Sequence, residues 1–173
     1  MSSAVISEDG FYRYELHRRL PSMLRWVRPI LWIMLNPSTA DGAQDDPTIR
    51  RCKGFSEYWG CTLMRVGNLY AYRATDPSAL KRPHGGIDIV GPTNHLHLRS
   101  MAADAALIML AWGQPGPQKE HWRWVLDKLA DHADKFHVLG YTKSGHPRHP
   151  LMFPKDSQPI PYSQSDAKVK GGD

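Results

Sequence analysis

At 173 residues the chain is long enough for one compact domain with a real core and short for two. Its 41% hydrophobic and 23% charged residues sit near globular averages, which excludes the disordered and fibrous classes. Lys and Arg total 22 against 17 acidic residues, so the net charge of +5 suits a polyanionic partner without demanding one. Cys52 and Cys61 form no CxxC pair, which argues against a disulfide framework and a four-cysteine zinc site and fits a reducing compartment. The longest apolar run, residues 30–35, is far below the roughly 20 residues of a membrane span, and the amino terminus lacks the apolar stretch of a secretory leader. A cytoplasmic protein with no membrane partner is expected.

Residues 11–16 alternate apolar with polar and read as an edge strand. The run Ile-Leu-Trp-Ile-Met-Leu over 30–35 is apolar at every position, as a strand buried on both faces must be, and it stops at Asn36-Pro37. It is the expected central strand. Asp46-Pro47 supplies an N-cap followed by proline at the first helical position, and Ile49, Cys52, Phe55 and Trp59 recur at helical spacing, so a helix is expected over 47–59. Residues 61–66 form a second apolar run ending at Gly67-Asn68. Residues 93–104 look helical, and 107–112 is a third apolar run ending at Gly113. Trp122, Val125, Leu126 and Leu129 give one apolar face to a helix beginning near Pro117, and 136–139 is a fourth strand. Residues 155–173, rich in Pro, Ser, Gln, Lys and Gly, are expected to be a polar, flexible tail after a single α/β domain at 1–154.

Four short strands alternating with helices imply a central, mostly parallel four-stranded sheet in a three-layer αβα arrangement. Ligands of such sheets collect at the strands' carboxyl ends. The loops after the first, second and fourth strands should therefore converge, and with them Asn36, Ser38, Asp41, Asn68, Tyr70, Arg73, Lys143, His146, Arg148 and His149. Amides, imidazoles and cations in this mixture suit an anionic or heterocyclic ligand. Asn36 also reads as a turn residue, Tyr70 as a packing residue, and His146 with His149 as a surface turn or, less readily, a metal pair. Asp41, Asp45 and Asp46 are candidate Mg²⁺ ligands, with helix capping the simpler reading of Asp46.

The strings Leu35-Asn-Pro-Ser-Thr-Ala-Asp41, Asp45-Asp-Pro-Thr-Ile-Arg-Arg51, Asn68-Leu-Tyr-Ala-Tyr-Arg-Ala-Thr-Asp-Pro77, Ala111-Trp-Gly113 and Gly145-His-Pro-Arg-His-Pro-Leu151 resemble the bacterial and phage family called domain of unknown function 1643. The order of the loops also resembles the uracil-DNA glycosylase superfamily. There a first-strand loop positions water, an asparagine after the next strand reads the base, and a late His-Pro loop grips the flipped nucleotide. Arg148 stands where that motif has serine. The resemblance implies a glycosylase-like fold, with Asn36 and His146 catalytic, Asn68 reading the base, Tyr70 stacking on it, and Arg73, Lys143 and Arg148 contacting phosphate. No cofactor or metal is then needed.

Breaking an N-glycosidic bond leaves negative charge on the departing base, so such a site needs a held water and donors aimed at the base. The first expectation is thus a glycosylase-like enzyme acting on a base in DNA or a nucleotide. A binding module of the same fold, without catalysis, is the second. A metal-dependent hydrolase or nuclease using Asp41, Asp45 and the histidines is the third.

Overall fold

A computed structural model describes residues 2–22, 27–38 and 44–163. Within them lies one seven-stranded sheet of order β1-β2-β4-β3-β5-β6-β7. Its strands are β1 (Ser3–Ile6), β2 (Arg13–Arg19), β3 (Pro29–Met34), β4 (Leu63–Asn68), β5 (Leu107–Leu110), β6 (Phe136–Val138) and β7 (Ile160–Pro161). The helices are α1 (Pro47–Tyr58), α2 (Asn94–Ala103) and α3 (His121–Lys128), with short 3-10 turns between.

The four strands expected from the apolar runs are adjacent and parallel: β3 pairs with β4 and β5, and β5 with β6. The expectation of a four-stranded, mostly parallel sheet is corrected at the edges. β2 pairs antiparallel with β4, β1 with β2, and β7 with β6, which makes the sheet mixed. β1 and β7 are largely exposed, and their apolar stretches, Ala4-Val5-Ile6 and Ile160-Pro161, are too short to announce a strand. β7 lies inside the segment assigned to the tail. Residues 164–173 are outside the described residues.

β3 is buried at every position. Alternation sends its side chains to two cores. Ile30, Trp32 and Met34 pack with Ile49, Cys52 and Phe55 of α1, while Leu31 and Ile33 pack with Leu98 and Met101 of α2 and Val125 of α3. Helices therefore cover both faces. The N-cap forms as expected: Asp46 accepts a hydrogen bond from Ile49 N at 2.8 Å. Trp32 Nε1 donates to Ser56 Oγ at 3.0 Å, so the central indole is satisfied within the core.

α2 lies tightly on β4 because position 67 has no side chain. A Cβ there would stand 2.5 Å from Leu98 Cδ2 and 2.9 Å from Met101 Cε. At the other side of α2, the carboxylate of Glu15 on β2 accepts from His17 Nε2 at 2.6 Å and His97 Nδ1 at 2.5 Å. The His97 ring is stacked on Tyr14 at 4.6 Å.

Gly67→Ala is expected to cost about 1–3 kcal/mol through overpacking, read as a lower denaturation midpoint at unchanged slope. The hydrogen bonds from His17, with those from His97, hold the Glu15 carboxyl below its ordinary value against the opposing effect of burial. A depressed folded value gives stability that is present above the unfolded carboxylate pKa of about 4.3 and lost as pH falls through the folded value. Glu15→Gln should flatten this acid limb in a pH series of unfolding free energies. An unchanged acid limb would contradict the assignment.

Candidate functional site

A cleft of about 1030 Å³ opens at the carboxyl ends of all four parallel strands. Leu35 enters it after β3, residues 77–81 after β4, residues 114–120 after β5, and residues 144–146 after β6. Its polar lining includes Lys81, Lys119, Glu120, Arg123 and His146, and its rings are Trp122 and Tyr162 together with the His146 imidazole. Arg123 forms an ion pair with Glu120 one turn away and lies over the Trp122 ring at 4.9 Å.

The loop after β5 is fixed from below. Tyr70, fully buried, donates its hydroxyl toward Pro115 O at 3.0 Å and Gln118 O at 3.2 Å, and accepts from Gln118 N at 3.3 Å. Gly116 sits at φ +78° directly against the Tyr70 ring, where a Cβ would collide with it. The stacking role expected of Tyr70 toward a ligand is therefore corrected: its ring belongs to the core and its hydroxyl builds the cleft wall.

Asn36 likewise joins two loops. Its Nδ2 donates to Ala74 O at 2.8 Å and Pro37 O at 3.1 Å, while Ala74 N donates to Pro37 O at 2.9 Å. These bonds extend the parallel pairing of β3 and β4 beyond the strand ends, after Leu69 N to Met34 O and Tyr70 N to Leu35 O. Arg73 is tied in the same region, its guanidinium donating to Gly10 O at 3.1 Å.

Asn68 is 1% exposed, and among the described residues neither amide atom of its side chain has a hydrogen-bond partner. Since Gly67 faces α2, alternation turns Asn68 to the α1 face, with Met64 and Val66. The cleft is on the other face, where Leu35, Trp122 and Tyr162 pack. Asn94 Nδ2, at the start of α2, holds the Asn68 and Leu69 carbonyls at 2.9 and 3.2 Å.

The two histidines of the late loop also part. His146 lines the cleft, edge-on to Trp122 at 5.6 Å. Burial, and next the Arg123 charge, lower its pKa, with Glu120 opposing. His149 caps the 3-10 turn Pro150–Met152, Nδ1 accepting from Leu151 N at 3.4 Å, and it feels the Asp46 carboxylate at the start of α1. Burial lowers its pKa too. Arg148 is exposed and lies over Phe153 at 5.7 Å, on the α1 side. Lys143 is exposed beside Ser144 at the cleft, Ser38 is partly buried, and Asp41 lies outside the described residues. Of the expected set, only His146 lines the cleft among the described residues.

Asp45 is held by Arg18 at 2.6 Å and Lys53 at 3.0 Å, and Asp46 by its capping bond. Among the described residues no three His, Cys, Asp or Glu are grouped to hold a metal ion. Lys81, Lys119, Glu120, Arg123 and Tyr162 escaped the sequence reading. The Gly-Gln-Pro-Gly-Pro run after the third strand was the available signal, because the rule that points to strand ends applies to that loop as well.

The family model described as "Protein of unknown function (DUF1643)" matches residues 13–151. No curated protein and no solved structure matches the chain.

A buried amide without partners costs about 1–3 kcal/mol, whereas an apolar replacement of the same shape removes that cost. Asn68→Leu should therefore leave the thermal midpoint unchanged or raise it. A marked fall would show that the amide is paired in solution.

Proposed function

The chain belongs to the DUF1643 family, and we propose that its cleft binds a nucleotide unit, free or extruded from a DNA strand. The observation that carries this reading is the lining: Lys81, Lys119 and Arg123 come together with Trp122, Tyr162 and the His146 imidazole in one cavity at the strands' carboxyl ends. Cations suit the phosphate and rings suit the base. Lys143, beside Ser144, adds a cation at the rim.

His146 favours a second reading, water-mediated cleavage of the N-glycosidic bond. Its ring nitrogens have no hydrogen-bond partner among the described residues, and its lowered pKa keeps it neutral at pH 7. A neutral imidazole offers an N–H to the negative charge that develops on a departing base. Asn36, whose Nδ2 ties the loops after β3 and β4, does not line the cleft. The glycosylase-like loop order supports the same chemistry. Against it stands Asn68, whose amide faces away from the cleft.

Oligonucleotides carrying uracil, mismatched or hypermodified bases, incubated with and without chelator, separate the readings. Abasic sites indicate cleavage, binding alone indicates a recognition module, and chelator-sensitive strand breaks indicate a metal-dependent nuclease. If cleavage occurs, His146→Ala should lower kcat by about 10²–10³-fold, as loss of such a donor does elsewhere. The neutral form is the active one here, so the rate should hold below pH 6.5 and fall only as pH passes the lowered His146 value. Nucleotide affinity unaffected by both Lys119→Ala and His146→Ala would remove the cleft from consideration.

A further inference from the structure

The outer surface of α3 and α2 next to the cleft has a second feature, a supported aromatic face among cations. Trp124 is 41% exposed, and Leu96 on α2 is 54% exposed. The Trp124 indole does not hang free. It stacks on His121 at 5.6 Å and 19°, and His121 stacks on buried Tyr70 at 5.0 Å. His121 Nε2 lies 2.8 Å from Leu69 O, which fixes the ring. The column Tyr70–His121–Trp124 thus carries rigidity from the core to the surface, and a ring held in place loses little entropy when something stacks on it.

The surroundings are charged. Lys128 Nζ lies over the Trp124 ring, 5.6 Å from its centroid, where an incoming base would displace it toward the phosphate, and His95 of α2 meets the same ring edge-on at 5.9 Å. Arg99 follows His95 by one helical turn and is exposed. Among the described residues neither Lys128 nor Arg99 is in an ion pair. Asp127 is the acidic residue on this stretch of α3, and Glu120 is paired with Arg123. A protein partner would call for an apolar groove, whereas a preset ring flanked by unpaired cations matches alternating bases and phosphates.

We propose that single-stranded nucleic acid leaving the cleft runs across Arg123 and Trp124 toward His95 and Arg99, with a base on the Trp124 ring and phosphates at Lys128 and Arg99. This rests on the nucleotide reading of the cleft, which Trp122 and Arg123 line from the same helix, and it makes the partner a polynucleotide in place of a free nucleotide.

The test compares thymidine monophosphate with a labelled oligothymidylate of about a dozen residues, within the span single-strand binders cover. The oligomer should bind far more tightly than the monomer. Trp124→Ala should weaken the oligomer about tenfold and Lys128→Ala should lower its log-affinity slope against log salt by about 0.7. Neither variant should change monophosphate binding. Circular dichroism checks that Trp124→Ala folds, and the exposed Lys128 gives an independent variant if it does not. Equal affinity for monomer and oligomer, or oligomer binding untouched by both variants, overturns the track while the nucleotide reading stands. Oligomer binding lost through Trp124 and Lys128 with no monophosphate binding supports the track and overturns the cleft reading. If neither probe binds, both fall.

Discussion

The structure depends on β3. A strand buried at every position cannot lie at an edge or face water, so it must be paired on both sides and covered on both faces. β4 and β5 supply the pairing, and α1 on one face with α2 and α3 on the other supply the cover. Parallel neighbours require crossovers, so every carboxyl end points the same way and every loop leaving one arrives at the same edge. The cleft follows from that constraint.

What turns a row of loop ends into a site is a small set of bonds among them. Asn36 and Pro37 tie the loop after β3 to the loop after β4. Tyr70, from the β4 loop, reaches under the β5 loop and holds Pro115 and Gln118, and Gly116 allows the close approach. Gly113 N donates to Pro147 O at 2.8 Å and joins the β5 and β6 loops. The motif residues that look like ligand contacts in the sequence are in large part the ties between loops. The groups left to face the cleft are more variable in kind: lysines, an arginine, a histidine and two other rings.

The carboxyl edge has two sides. His146 and the cations lie on the α3 side, while Asn68, His149 and the Asp46 cap lie on the α1 side. A site drawing on Asn36, Asn68 and His146 together would have to straddle the sheet. This division is why nucleotide binding in the cleft is better supported than the full glycosidic mechanism, and why Asn68, buried with both amide atoms unpaired among the described residues, stands apart from the cleft.

Local pattern by itself determined the four parallel strands, the Asp46-capped helix and the edge of the sheet, at the strands' carboxyl ends, where the cleft opens. Apolar runs, cap chemistry and helical spacing are properties of neighbours in sequence. The antiparallel edges β1 and β7 were not legible, because short exposed strands gain their stability from the strand they pair with and carry no periodic signal. The face to which a residue turns was not legible either. One residue of register decides it, and here the tight fit of Gly67 against Leu98 sent Asn68 to the α1 face. Whether an amide or a phenol meets a ligand or a neighbouring loop was likewise decided by tertiary structure: Asn36 and Tyr70 carry the right groups for either, and the carbonyls within reach chose the loop.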